Sequence, residues 1–198
     1  KKSDKFESYN FDDALDFFDN KSELAVTPKF NGILCAIHYK ERGGHKSDGK
    51  ILTTTRKVIS RKFGATDSKQ PVTTIMSTKG GVLLWENQVT KEFEDTCKKR
   101  GIREALFLGE LFEYDAFGVV RGPHAVTSTI MRKDISSSAF KQLRFSLFDA
   151  LSINNSKVNV EYRLRHAELE PFAGDRIKVV DMEYLSDAIP YRLEALWA

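Results

Sequence analysis

"EALFLGELFEYDAFG", residues 104–118, alternates with a period of two: Leu106, Leu108, Glu110 and Phe112 fall on one side, Phe107, Gly109 and Leu111 on the other. Side chains at i and i+2 share one face of a strand, so the pattern predicts a long β-strand. Between Leu106 and Phe112 one face is apolar, and the other carries a carboxylate among leucines and a phenylalanine. An unpaired carboxylate in such surroundings is costly to bury. Glu110 is therefore expected either to hold a ligand or to make a salt bridge on the sheet face.

The flanking segments extend this reading. "ENQVTKEFEDTCKKRG" (86–101) puts Val89, Phe93 and Cys97 on one helical face and ends at Gly101. Downstream come a helical turn at "TSTIMRK" (127–133), a largely buried strand at "QLRFSLFDAL" (142–151) and an amphipathic helix at "NVEYRLRHAEL" (159–169). One more strand is expected at "DRIKVVDMEYL" (175–185), and a helix at "SDAIPYRLEALW" (186–197) with Pro190 near its first turn. Upstream, "YNFDDALDFFDN" (9–20) spaces Phe11, Ala14, Leu15 and Phe18 for a short helix capped by Asn10. Strand-like segments follow around 25–29, 32–39 and 50–55. Within them "VTPKFNGILCAIHY" (26–39) reads as a strand, a turn holding Lys29, and a second strand. Residues 64–80 are polar and read as a surface excursion. Neighbouring strands early and interspersed helices later argue for an α+β fold, with mainly antiparallel twisted sheets and flanking helices. With no internal repeat or linker, the expectation is a single domain over 1–198, comprising an N-terminal helix at 10–20 and a motif-bearing core at 24–198.

The 198 residues are 41% hydrophobic, enough for one substantial core, and no apolar run is long enough to span a membrane. Cys35 and Cys97 are the two cysteines. Their settings suggest buried or free thiols rather than a disulfide, so an intracellular location is expected. The scattered histidines and cysteines give no zinc-ligand spacing. A net charge of +3 is a weak bias, but "RKVISRKF" (56–63) and "CKKRGIR" (97–103) are locally basic. Each is either a solvated face or part of a nucleic-acid footprint.

Four short islands carry chemistry: Lys29-Phe30-Asn31-Gly32, "LTTTRK" with Arg56 at a strand end, "LFLGELFEYDAFG" with Glu110, and "LRFSLFDAL" with Phe148 before Asp149. In this order and context they resemble the nucleotidyltransferase (adenylation) domain of ATP-dependent polynucleotide ligases, most closely the DNA ligases of bacteriophages. The resemblance runs from about Ala25 onward and implies an ATP-grasp-like nucleotidyltransferase fold. It implies that Lys29 is the catalytic nucleophile that takes AMP from ATP, with Asn31, Gly32, Arg56, Glu110 and Phe148 binding the nucleotide. Glu110 would touch a ribose hydroxyl or a hydrated Mg2+, and Phe148 would stack on adenine. Arg56, Lys57, Arg61 and Lys62 would contact nicked double-stranded DNA. A free lysine with a pKa near ~10.4 is mostly protonated at neutral pH, so neighbouring cations, metal or desolvation must make it nucleophilic. Without that setting, Lys29 is a surface lysine beside a hairpin turn, Arg56 a surface arginine and Phe148 a core ring.

The chain also departs from the family. Asn31 replaces the usual aspartate, Leu34 stands where many DNA ligases have an arginine, and Leu108 where an aspartate often precedes Gly-Glu. The family's fourth motif, with a metal-binding glutamate, and its fifth, a K-x-K strand, have no counterpart. The domain is thus expected to be incomplete at its C-terminus and a poor ligase alone. A further segment or a second polypeptide would carry the missing motifs. Two alternatives stand beside this reading: an RNA ligase or RNA-capping nucleotidyltransferase, and a non-catalytic nucleic-acid-binding subunit.

Overall fold

The structure, a computed structural model, describes residues 24–42, 59–62, 73–79, 82–85, 87–131 and 141–185. In chain order the elements are β1 (Leu24–Val26), β2 (Ile33–Lys40), β3 (Ile59–Lys62), β4 (Thr74–Thr78), β5 (Val82–Trp85), α1 (Gln88–Lys99), β6 (Glu104–Tyr114), β7 (Val120–Arg121), α2 (Pro123–Ile130), β8 (Leu143–Ile153), β9 (Ser156–Lys157), α3 (Tyr162–Ala167), a 3-10 turn (Glu170–Phe172), β10 (Ile177–Val179) and β11 (Glu183–Leu185). Two compact units divide the chain, Lys29–Val180 and Lys1–Pro28 with Asp181–Ala198. In the second, β1 pairs antiparallel with β11. The first holds a nine-stranded sheet in the order β10-β8-β6-β2-β4-β5-β3, with β7 on β6 and β9 on β8. Its pairings are antiparallel except β10 with β8 and β3 with β5. The expected α+β class with mainly antiparallel pairing is observed.

β6 lies in the middle of this sheet, and its burial alternates from Glu104 to Leu111 as the sequence pattern predicts. Ala105, Phe107 and Leu111 are fully buried and join Cys35, Ile37 and Tyr39 of β2 and Phe145 and Leu147 of β8 in one core cluster. α1 closes over that face with Val89, Phe93 and Cys97. Phe93, Phe107 and Phe172 form a three-ring cluster with centroid separations of 5.4, 4.9 and 4.7 Å. α1 starts at a capping box in which the Asn87 side chain accepts from Thr90 N–H and Thr90 Oγ1 accepts from Asn87 N–H, both at 3.0 Å. It stops at Gly101 (φ 66°), where Ile102 N–H reaches back to the Cys97 carbonyl at 2.9 Å. Both cysteines are buried free thiols.

Four expectations need correction. Residues 74–78, inside the supposed surface excursion, are a buried strand between β2 and β5, with the Thr74 and Thr78 hydroxyls bonded to Glu94 and to Val82 N–H. The two strands flanking Lys29 do not form a hairpin: β1 pairs with β11, while β2 pairs with β4 and β6. Residues 175–185 form two strands in different sheets rather than one. The helix in 159–169 shrinks to Tyr162–Ala167, and its Leu164 is 55% exposed. The expected helices at 10–20 and 186–197 and the strand at 50–55 lie outside the described residues.

Candidate functional site

Lys29 and Asn31 are exposed in the segment leading into β2, and Gly32 sits at the strand's entrance. The Gly32 N–H donates to Glu110 Oε2 at 3.2 Å. Register puts Leu34 opposite Glu110 and Ile33 opposite Leu111, so the lysine segment enters the sheet beside the carboxylate. Gly32 is required there, since a Cβ at this position would stand 2.6 Å from the Leu111 carbonyl oxygen. Phe30 adds a second anchor, its ring stacked on Phe112 at 6.0 Å and 18°.

Glu110 is half-buried, and burial raises its carboxyl above the ordinary range, while the Gly32 N–H and the Lys29 charge pull in the other direction. Lys29 thus lies within electrostatic reach of Glu110. Across the sheet Glu110 faces Ser146 of β8, whose buried Oγ has no hydrogen-bond partner among the described residues.

Phe148 occupies a β-bulge. Gly109 pairs with Leu147 and Leu108 with Asp149, leaving Phe148 as the extra residue on β8. Core-facing Leu147 and Ala150 bracket the half-buried Phe148 and Asp149, which therefore follow on the face of Leu108 and Glu110. Gly109 permits this close approach: a Cβ there would meet the Ser146 carbonyl at 2.4 Å and the Phe145 ring at 2.7 Å. α3 fixes the bulge from outside. Tyr162 Oη donates to the Phe148 carbonyl at 2.8 Å, and Arg165 Nε pairs with Asp149 at 2.8 Å.

Gly32 thus bonds Glu110, Lys29 lies within its electrostatic reach, and Phe148 follows on the neighbouring strand β8, while Asn31 is an exposed residue of the segment before β2. Arg56 and Lys57 lie outside the described residues, and Arg61 and Lys62 are described only as backbone of β3. Sequence reasoning missed Phe30, Tyr162 and Arg165 as supports. Phe30 was discoverable from its place inside the lysine motif, whereas nothing local announces a contact sixteen residues from Asp149.

Among the described residues no group of three His, Cys, Asp or Glu could hold a metal ion together. A hydrated Mg2+ needs less, because it keeps several waters and binds through one or two carboxylates plus substrate phosphates. Glu110, a single half-buried carboxylate, fits that donor set. No helix among the described residues is long and apolar enough to cross a membrane.

No protein-family model matches the sequence, and no curated protein does. Solved structures do match. Pmar-Lig_Pre aligns over 93% of this chain and 36% of its own, with a TM-score of 0.58 and 11% identity. The fold is shared. Mycobacterial DNA ligase D complexed with ATP and MES aligns over 88% of this chain and 46% of its own (TM-score 0.44, 12% identity). The ligase domain of M. tuberculosis LigD aligns over 89% and 46% (TM-score 0.43, 13% identity). The chain thus spans about a third of Pmar-Lig_Pre and less than half of the two mycobacterial chains.

Proposed function

We propose that this chain is the adenylation portion of an ATP-dependent DNA ligase of bacteriophage type, acting on 5′-phosphate/3′-hydroxyl nicks in double-stranded DNA. The observation that carries the reading is the 3.2 Å hydrogen bond from Gly32 N–H to Glu110, which ties the Lys29 segment to a half-buried carboxylate. The resemblance of the motifs supports the same assignment.

In the first step the unprotonated Lys29 Nζ attacks the α-phosphorus of ATP. An N–P bond forms, the P–O bond to the β-phosphate breaks, and pyrophosphate leaves. The 5′-phosphate of the nick then displaces the lysine, and the 3′-hydroxyl displaces AMP to seal the strand. Lys29 is fixed from both sides, by Pro28 in sequence and by the Phe30–Phe112 stack in space. Fixing a nucleophile in this way supplies part of the rate through orientation. Glu110 accepts a ribose hydroxyl or the water of an ion, and Phe148, held by Tyr162 at its carbonyl, offers its ring to adenine. Mg2+, held by Glu110 and the nucleotide phosphates, would neutralise charge developing on the phosphate. The further cations that such a transition state demands come from an additional segment or partner chain in this proposal.

The test is calorimetric titration with ATP together with incubation in α-labelled ATP and Mg2+. Expected are ATP binding weakened by Glu110→Gln and Phe148→Ala, and an acid-labile label lost in Lys29→Ala. A chain that fails to bind ATP, both alone and together with the segment or partner that supplies the further cations, overturns the proposal. Competition between nicked DNA and nicked RNA assigns the polynucleotide: preferential sealing of RNA replaces the DNA ligase reading with an RNA ligase.

A further inference from the structure

The face that carries Glu110 continues along β6 and β8 to a cluster of cations that no part of the adenylation chemistry uses. Two residues beyond Glu110 on β6 is Phe112, and its register partner on β8 is Arg144. The Arg144 guanidinium carbon lies 5.9 Å from the centroid of the Tyr114 ring, and Tyr114 packs edge-on against Phe112 at 5.5 Å. Arg144 Nη1 donates to the carbonyls of Leu143 at 3.0 Å and Lys141 at 3.1 Å. Arg176, in the loop before β10, also donates its Nη1 to the Lys141 carbonyl. Two guanidinium groups therefore converge on one backbone oxygen, at a residue whose own lysine side chain is exposed.

Among the described residues, two carboxylates answer these three cations. Asp175 pairs with Arg176 Nε at 3.1 Å but is 78% exposed. Glu92 is committed to the backbone, accepting from Arg176 N–H at 3.0 Å and Ile177 N–H at 2.9 Å. Burial, and after it the neighbouring Arg176 charge, hold the Arg144 guanidinium below its usual range, while Asp175, Tyr114 and Glu92 pull in the other direction. Among the described residues Arg144 Nε and Nη2 and Arg176 Nη2 have no hydrogen-bond acceptor. Forked guanidinium donors are the geometry that phosphate oxygens fit. The neighbouring open cleft against α1 offers no such imbalance, because its lining sets Lys91, Lys99 and Arg176 against Glu92, Asp95 and Asp175.

We propose that Arg144, Arg176 and Lys141, beside the Tyr114 ring, form a phosphate-binding site that grips the polynucleotide strand delivered to Lys29. The inference rests on the ligase reading for the identity of that strand. Cations beside an aromatic face are the composition of grooves that track single strands and strand ends. The cluster lies on the Phe112 side of Glu110, where Phe30 also anchors the lysine segment, and away from Phe148. A strand held there presents its terminal phosphate toward Lys29 while the nucleotide base occupies the other end of the face.

The test measures binding of a fluorescent nicked duplex across a salt series, for the wild-type chain, the double variant Arg144→Ala/Arg176→Ala, the charge-keeping Arg144→Lys/Arg176→Lys and the exposed-site variant Lys141→Ala. Removing phosphate contacts flattens the dependence of log affinity on log salt by about 0.9 per contact. Expected are a loss of about tenfold, equivalent to ~1.4 kcal/mol, in the double alanine variant and partial recovery with lysines. ATP half-saturation for labelling Lys29 stays unchanged. Duplex affinity and salt slope equal to wild type in a folded double variant overturn the proposal. A raised ATP half-saturation with unchanged duplex binding also overturns it, giving the cluster to the triphosphate tail instead. Should the double variant fail to fold, the slope of Lys141→Ala decides alone. Loss of duplex affinity in the variants of a chain that never labels Lys29 keeps the phosphate site and removes the ligase reading.

Discussion

The two faces of β6 have opposite tasks. On one, Ala105, Phe107 and Leu111 are fully buried beneath α1, and Phe107 touches two other phenylalanine rings. On the other, Leu106, Leu108 and Glu110 stay half-buried, facing a serine with no partner among the described residues and a bulged phenylalanine. The first face makes dispersion contacts and excludes water, which is where core stability resides. The second tolerates an ionisable group whose burial is unfavourable to the ionised form. A period of two lets one strand separate these roles with no loop between them. What stabilises the sheet and what performs chemistry are neighbours in sequence, on opposite sides of one backbone.

That contrast is sharpest at its extremes. Phe107→Ala opens a cavity inside the ring cluster and is expected to cost about 3–5 kcal/mol in urea unfolding. A loss below 1 kcal/mol would show that the packed face is not where stability lies. Gly32→Ala should cost about 1–3 kcal/mol, because the new methyl meets the Leu111 carbonyl and the strand entrance must shift. The same shift moves the N–H off Glu110, so ATP binding should weaken with it. Asn87→Ala removes half of a capping box and should cost about 1 kcal/mol of thermal stability without changing ATP binding. Lys29→Ala, at an exposed position, should stay within about 0.5 kcal/mol of wild type in unfolding while all label is lost.

Glu110→Gln gives the smallest and most diagnostic stability change. The folded carboxyl is raised, so it binds a proton more readily in the fold than in the unfolded chain. Stability therefore falls as pH rises from the ordinary carboxylate pKa through the folded value, and the ionised group is a net cost above both. Glutamine keeps an acceptor for Gly32 and carries no charge. Its melting temperature at neutral pH should equal or slightly exceed that of wild type, and that slope with pH should vanish. A variant that melts lower would place Glu110 among the stabilising contacts after all.

Legibility in the sequence follows the same division. β6, β8 and α1 were readable because strong periodicity reports a buried face, and their packing obeys it. β4 was not, since "TTIMST" looks like solvent-exposed sequence. Thr73 and Thr74 hydroxyls instead donate to Glu94 of α1, and Thr78 Oγ1 accepts from Val82 N–H. Gly32 and Glu110 belong to two of the motif islands, and one hydrogen bond joins them. The hairpin around Lys29 was a misreading of adjacency, because pairing is settled by residues 183–185, far along the chain. The Arg144–Arg176 convergence joins residues whose meeting depends on β10 lying parallel to β8, which no local pattern encodes.

The bulge at Phe148 has a genetic corollary. Dropping one residue from a central strand normally turns every later side chain inside out. Here loss of that one codon would leave Leu147 opposite Gly109 and Asp149 opposite Leu108, with the neighbouring orientations kept and only the second irregularity, between Leu106 and Phe107, still interrupting the ladder. The aromatic platform is thus a detachable insertion, free to be gained or lost over generations while the sheet beneath it stays in frame.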